Sequence, residues 1–186
     1  KQRKAKVITS ISMFYDLENP QKFTNDVASI LDKDGIWVLE QSYLPKMLEQ
    51  NSFDTICHEH LEYYALRQIE RLVKNANLKI INVSLNNING GSFRVEVSHE
   101  KSRLAVQNEA ISRLKAYERN LNLDRNKTYE DFAKRVDDIG KKLRHYLKEE
   151  KSKDKEIFVY GASTKGNVLL QYFDLDNQLI TACAER

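Results

Sequence analysis

Residues 6–40 read KVITSISMFYDLENPQKFTNDVASILDKDGIWVLE, and this stretch decides the fold class. Residues 6–14 and 36–39 are apolar and rich in β-branched side chains, which predicts two buried strands. Asp34 and Gly35 form a turn signal that predicts the end of a helix before the second strand. The segment between the strands has apolar residues at helical spacing, at Phe23, Val27, Ile30 and Leu31. A strand, a helix and a strand in this order predict a parallel pair, and hence an α/β fold.

An antiparallel hairpin is predicted further along the chain. Residues 66–76 have helical spacing with Asn77 as the C-cap, and residues 43–51 form a helical or irregular connection. Residues 78–85 and 92–98 alternate between apolar and polar side chains, and the turn-forming NNINGG separates them. Alternation on both sides of such a turn is typical of two antiparallel strands.

Residues 100–155 are more highly charged than the rest of the chain, because they contain 16 Lys and Arg and 11 Asp and Glu. One helix is marked by apolar residues from Leu104 to Leu121, and a longer one from Tyr129 to Leu147 has Thr128 as its predicted N-cap. The charges are interspersed, which favours a solvated helix face over a nucleic-acid patch. The net charge of the chain, +3, is too small to indicate nucleic-acid binding.

Composition excludes several classes of protein. With 41% apolar and 31% charged residues, the 186-residue chain can form a packed core. No apolar run reaches the about 18 residues that a membrane span needs, and no signal-peptide pattern is present. Cys57 and Cys183 are too few for a disulfide scaffold or a four-cysteine zinc site. We therefore expect a cytoplasmic protein without a membrane partner. Strand patterns close to both ends predict an internal piece of a longer protein.

The triplet His58-Glu59-His60, followed by Tyr63 and Tyr64, carries the densest polar chemistry. Histidine is the usual general acid or base near neutral pH, and an adjacent carboxylate can orient its imidazole. The HExxH zinc motif does not fit, because Glu62 stands where the second histidine is required. A metal site on His58 and His60 lacks an obvious third ligand. A purely structural role for both histidines stays open.

Two glycine-containing turns are candidates for ligand binding. Gly90 and Gly91, followed by Ser92, permit a close approach of the backbone to a ligand, but a plain hairpin loop explains them equally well. Residues 156–160 predict a strand, residues 161–165 a turn and residues 166–173 a helix. The turn is neither a Walker A sequence nor a good GxGxxG. Backbone amides at the start of a helix, together with Lys165, nevertheless suit an anionic group.

Four separate segments resemble one known family. They are residues 12–44, FDTICHEHLEYYALRQIERLV at 53–73, NNINGGSFRVEV at 86–97 and FVYGASTKGNVLLQYF at 158–173. Their order and spacing resemble the sugar C-methyltransferases, which use S-adenosylmethionine to methylate a carbon of a nucleotide-linked keto-deoxysugar. The resemblance implies the C-terminal half of a class I, Rossmann-like methyltransferase sheet with an antiparallel hairpin, a helical connector and the start of a second α/β domain.

The resemblance also implies domain boundaries. Residues 1–99 would form the C-terminal part of the methyltransferase domain, residues 100–155 the connector, and residues 156–186 the start of a domain that faces the nucleotide sugar. The glycine-rich cofactor loop would precede this chain, as would a domain in which cysteines bind structural zinc. No metal is expected within these residues.

The resemblance assigns roles to individual residues. His60 aligns with the family's catalytic base and Glu59 with its acidic neighbour. The family has a catalytic tyrosine where this chain has Cys57, so Tyr63 is the candidate for a nearby phenol, with Tyr64 as a second possibility. Cofactor contacts are expected at the end of the first strand, at Ser12, Met13, Phe14 and Tyr15. Substrate contacts are expected at His58, Gly90, Gly91, Ser92, Gly161, Ser163, Lys165 and Asn167.

The implied chemistry is coherent without a metal. An imidazole can remove the proton α to a ketone when the enolate is stabilised, and the carbanion then attacks the methyl group. The resemblance implies a small nucleotide sugar as the partner, in deoxysugar biosynthesis. Three alternatives remain from the sequence: a non-catalytic nucleotide-sugar binding relative, a methyltransferase with a non-sugar acceptor, and a metal-dependent hydrolase that uses His58 and His60.

Overall fold

The computed structural model describes residues 3–161 and 163–185. The chain divides into two compact units. The first comprises Lys1–Gln50 and Glu59–Asp124, and the second comprises Asn51–His58 and Arg125–Arg186. These two units do not coincide with the domains predicted from the sequence, whose boundaries lie after residues 99 and 155. The domain boundaries stay predictions.

A four-stranded mixed sheet forms the centre of the first unit, in the order β1-β2-β4-β3. The strands are β1 (Ala5–Ile11), β2 (Leu31–Ser42), β3 (Leu78–Asn86) and β4 (Ser92–His99). β1 and β2 are parallel, whereas β4 lies between β2 and β3 and is antiparallel to both. The predicted parallel pair and the predicted antiparallel hairpin are both confirmed.

Four helices belong to the first unit: α1 (Pro20–Ile30), α2 (Leu44–Gln50), α3 (Leu66–Asn75) and α4 (Asn108–Asn120). Asn19 is the N-cap of α1, since its side chain accepts a hydrogen bond from the Lys22 amide. Asn77 follows α3 with a φ of 57°, the left-handed conformation that asparagine tolerates after a helix. Neither these helices nor those of the second unit, within residues 3–161 and 163–185, are long and apolar enough to cross a membrane.

The core of the first unit lies on one face of the sheet. Trp37 and Leu39 of β2 alternate inward opposite Val97 and Val95 of β4, and all four side chains are fully buried. The indole Nε1 of Trp37 donates a hydrogen bond of 3.0 Å to Ser10 Oγ. Apolar burial of this kind contributes about 25 cal/mol per Å² to stability.

Two boundaries near the first crossover differ from the prediction. β1 ends at Ile11 rather than at residue 14, because Ser12 has a φ of 52° and Phe14–Asp16 form a 3₁₀ helix. Asp34 and Gly35 do not end α1, which already stops at Ile30, but lie within β2. A Cβ on Gly35 would lie 2.8 Å from the Ala5 carbonyl oxygen. Gly35 therefore permits the close approach of β1 and β2.

The second unit contains α5 (Asn126–Lys151), α6 (Thr164–Tyr172) and the short parallel strands β5 (Phe158–Tyr160) and β6 (Ala182–Ala184). The ring of Phe53, from the Asn51–His58 segment, lies 4.9 Å from the ring of Phe173. A second close ring pair joins Phe53 and Tyr172 at 5.3 Å. This segment is therefore held in the second unit by aromatic packing.

Helix boundaries in the charged stretch also need correction. α5 begins at Asn126, so Thr128 is inside the helix and is not its N-cap. Leu104 and Leu121 lie outside α4. The apolar spacing located both helices correctly, but helix ends depend on backbone groups whose partners the spacing does not reveal.

Candidate active site

Three connections meet at the edge of the sheet where the parallel strands end. The Ser12 amide, just after β1, donates a hydrogen bond of 2.8 Å to the Glu40 carbonyl of β2. The Tyr43 amide, just after β2, donates one of 3.1 Å to the Gly91 carbonyl of the hairpin turn. This edge is where open α/β sheets generally place their sites.

The segment around His60 is attached to this edge through Tyr15. The Tyr15 carbonyl accepts hydrogen bonds from the amides of Leu61 and Glu62, at 3.0 and 3.1 Å. The centroids of the Tyr15 and His60 rings are 4.4 Å apart. The structure thus brings together one predicted cofactor residue and the predicted base.

The other members of the histidine segment differ in exposure. Glu59 is exposed, whereas His60 and Tyr63 are half-buried. Tyr64 is buried, its ring lies 5.4 Å from that of Phe14, and its hydroxyl has no hydrogen-bond partner among the described residues. Burial raises the pKa of Tyr64, with a further contribution from Glu62. Tyr64 is therefore a core residue that ionises less readily than an ordinary tyrosine.

The four residues predicted to contact the cofactor fall into two groups. Ser12 and Met13 keep part of their surface exposed at the sheet edge. Phe14 and Tyr15 are only 1% and 9% exposed. The side chains of Phe14 and Tyr15 therefore support this segment from within, and cofactor contacts at Ser12 and Met13 stay a prediction.

The hairpin turn packs closely against the side chain of Lys46. Gly91 has a φ of 114°, and a Cβ added to it would lie 2.6 Å from Lys46 Cβ. Ser92 is buried, and its hydroxyl donates a hydrogen bond of 2.9 Å to the Ile88 carbonyl. Gly90 is exposed with a φ of 78°. These contacts explain Gly91 and Ser92 structurally, and a role of the turn in substrate binding stays a prediction.

The remaining predicted substrate residues lie in the second unit. His58 is exposed and belongs to this unit, unlike Glu59 and His60. Ser163 is the N-cap of α6, because its Oγ accepts a hydrogen bond of 3.3 Å from the Gly166 amide. The Asn167 amide donates a hydrogen bond of 3.0 Å to the Ser163 carbonyl, and the Gly161 amide donates one of 2.8 Å to the Ala184 carbonyl. Lys165, in the first turn of α6, is half-buried.

Sequence reasoning missed Glu118, which it placed among the solvated charges. Glu118 is only 6% exposed, and its Oε1 accepts hydrogen bonds from the Leu66 amide at 2.6 Å and from the Tyr43 hydroxyl at 2.7 Å. The signal was its position four residues after Leu114, on the apolar side of α4. No group of three metal-ligating side chains occurs within residues 3–161 and 163–185.

Comparison with known proteins decides the family. Residues 87–186, more than half of the chain, match the C-methyltransferase C-terminal domain. The chain belongs to the C-methyltransferase family. Residues 1–83 match a methyltransferase domain as well, so the predicted family and the predicted Rossmann-like fold are confirmed.

A curated relative of this C-methyltransferase family member is C-methyltransferase NovU from Streptomyces niveus. The two sequences are 29% identical over 181 residues, which cover 97% of this chain and 43% of the relative. The chain therefore spans less than half the length of the relative that it matches.

Solved structures resemble about half of the chain. A putative methyltransferase in complex with a Haloferax volcanii methyltransferase activator has a TM-score of 0.44 and 11% identity, over 52% of this chain and 55% of that one. LepI in complex with SAM has a TM-score of 0.44 and 14% identity, over 52% and 27%. Magnesium protoporphyrin IX methyltransferase from Synechocystis PCC 6803, with bound SAH, has a TM-score of 0.42 and 10% identity, over 53% and 47%. These similarities are weak, so the family assignment rests on the sequence matches.

Proposed function

We propose that the protein is an S-adenosylmethionine-dependent C-methyltransferase that acts on a nucleotide-linked keto-deoxysugar. Family membership supports the reaction type. The observation that carries the proposal is the contact of the Tyr15 and His60 rings, 4.4 Å apart at the carboxyl edge of the sheet. This contact joins the segment expected to face the cofactor to the residue expected to act as the base.

His60 removes the proton α to the substrate ketone. Its imidazole is half-buried, so one side is packed while another remains accessible to a substrate. Histidine is the usual general base near neutral pH. A positioned base of this kind contributes about 10²–10⁴-fold to the rate. Glu59, exposed beside His60, supports the charged imidazolium, and Tyr63 supplies a nearby phenol.

S-adenosylmethionine, when bound, supplies the electrophilic methyl group. Ser12 and Met13 would hold it, because their side chains reach the surface just beyond β1. Lys165 would bind an anionic group of the nucleotide sugar, since the N-terminus of α6 carries a partial positive charge. Gly161, Ser163 and Asn167 shape that turn.

Hydrogen exchange in deuterated buffer tests the base. The full-length protein is incubated with a nucleotide-linked keto-deoxysugar in this buffer, without S-adenosylmethionine. We expect exchange of the hydrogen α to the ketone without methyl transfer, and a loss of about 10²–10⁴-fold in exchange for His60→Ala. His145→Ala is the matched control, because His145 is exposed on α5. Normal exchange in His60→Ala would show that the base lies elsewhere.

A methyltransferase with a non-sugar acceptor is the second candidate, because Cys57 stands where the sugar enzymes have a tyrosine. Methyl transfer from labelled S-adenosylmethionine separates the two candidates. Transfer to nucleotide-linked keto-deoxysugars supports the first, whereas transfer only to non-sugar acceptors supports the second.

A further inference from the structure

We propose that Tyr15 is a positioning residue that orients the imidazole of His60 against the end of β1. This inference rests on the proposed function, in which His60 is the base. It deepens that function, because it assigns the orientation of the base to a residue outside the histidine segment.

The segment that contains His60 has no regular secondary structure. Residues 56–65 have no helix or strand, so contacts with other elements contribute to the orientation of its side chains. Tyr15 provides two kinds of contact. Its carbonyl oxygen holds the amides of Leu61 and Glu62, the two residues after His60. Its ring packs against the imidazole at 4.4 Å with an angle of 58° between the ring planes.

Tyr15 can serve as this support because it is itself held firmly. It lies in the Phe14–Asp16 3₁₀ helix directly after β1, and its side chain is 9% exposed. The neighbouring Phe14 ring lies 5.8 Å from the Trp37 ring of β2 and 5.9 Å from the Phe23 ring of α1. A continuous set of aromatic contacts therefore runs from the sheet to the residue beside Tyr15.

The consequence is a rigid connection between two parts of the site. Ser12 and Met13, which would contact the cofactor, precede Tyr15 in the same short segment. The imidazole and the cofactor-facing segment are thus held by one element. A misplacement of about 1 Å between reacting groups can cost about 100-fold in rate, so removal of the Tyr15 ring should impair proton removal.

Three variants of the full-length protein test this inference. Tyr15→Leu removes the ring, Tyr15→Phe retains it, and Phe23→Leu removes a ring from the same aromatic cluster without touching His60. Solvent deuterium exchange at the carbon α to the ketone, KM for the sugar and the melting temperature are measured for each. Tyr15→Met replaces Tyr15→Leu if the latter does not fold.

We expect Tyr15→Leu to lower the exchange rate at saturating sugar by about 10–100-fold while KM changes less than about threefold. Tyr15→Phe should retain the rate within about threefold, and Phe23→Leu should lower the melting temperature but not the rate. A fall of less than tenfold for Tyr15→Leu, or a loss equal to that of Phe23→Leu, would overturn the inference. If His60→Ala also keeps its exchange, the proposed function fails as well. If only His60→Ala loses exchange, the inference about Tyr15 fails alone.

Discussion

The hydroxyl of Tyr43 donates a buried hydrogen bond of 2.7 Å to the carboxylate of Glu118. The same carboxylate accepts the amide hydrogens of Leu66 and Arg67, the first two residues of α3, at 2.6 and 3.4 Å. A negative charge at the N-terminus of a helix is favourable, because the first amides of the helix have no partner within it. Burial and the adjacent Glu118 raise the pKa of Tyr43, so it remains a donor. Glu118 therefore caps α3 directly after the histidine segment.

Glu118→Ala should lower the free energy of unfolding by about 1–3 kcal/mol, since it leaves buried donors of Tyr43 and Leu66 without an acceptor. Urea unfolding followed by circular dichroism measures the change. Glu130→Ala, which removes an exposed carboxylate from α5, is the control and should change stability by less than about 0.5 kcal/mol. Equal effects of the two variants would contradict the proposed cap.

Gln41→Met should raise stability. Gln41 is fully buried, and neither its Oε1 nor its Nε2 has a hydrogen-bond partner among the described residues. Methionine has a similar shape and removes the desolvation penalty of unpaired polar atoms, which is about 1–3 kcal/mol. Chemical unfolding of both proteins measures the difference.

Ser98→Ala provides the contrast to Gln41→Met. Ser98 is also fully buried, but its hydroxyl donates a hydrogen bond of 2.7 Å to the Gly35 carbonyl. Its removal should therefore lower stability by about 1 kcal/mol. A loss of stability in both variants would show that Gln41 has a partner in solution.

Gly140→Ala should destabilise α5, although alanine is the better helix former by about 1 kcal/mol. A Cβ at this position would overlap the Phe173 ring, which is itself buried. Gly166→Ala in α6 is the matched control, because its Cβ would meet only Ser163 Oγ at 3.6 Å. Thermal unfolding should show a lower melting temperature for Gly140→Ala and an unchanged or higher one for Gly166→Ala. The opposite order would contradict the packing of Phe173 on α5.

Lys165→Ala should weaken substrate binding more than it slows the chemical step. One charged hydrogen bond contributes about 1.5–3 kcal/mol, which corresponds to a rise in KM of about tenfold or more. Steady-state kinetics of the full-length protein would show kcat nearly unchanged. Lys142→Ala, at an exposed position of α5, should leave both constants unchanged. A large fall in kcat for Lys165→Ala at saturating substrate would contradict a binding role.

Glu150 should contribute to the acid sensitivity of the protein. Hydrogen bonds from Lys153 and Lys155 lower the pKa of Glu150 to about 2. Because the folded pKa lies below the ordinary value of 4.5, this contribution is present at neutral pH and disappears as the pH falls from about 4.5 towards 2. Glu150→Gln should therefore flatten the dependence of stability on pH in that window. Titration in 1 M salt should weaken the effect in the wild type, since the pair is near the surface.

The elements of the central sheet could be predicted because their signals are local. Alternation in residues 78–85 and 92–98 and helical spacing after Phe23 are properties of the chain itself, and the hairpin and the crossover follow from them. The role of Gly35 could not be predicted in this way. In the sequence, a glycine that allows two strands to approach cannot be distinguished from a glycine that ends a helix. Only the position of the Ala5 carbonyl beside Gly35 shows which role this glycine has.

The sequence by itself determined the order of strands and helices, the family and the identity of the candidate base. These depend on residue types at short spacing and on four segments whose order matches one family. The tertiary structure alone decided that Tyr15 lies beside His60 and that Glu118 caps α3. Each of these contacts joins residues that are distant in sequence, so it depends on how the sheet brings separate elements together and leaves no periodic signal in the chain.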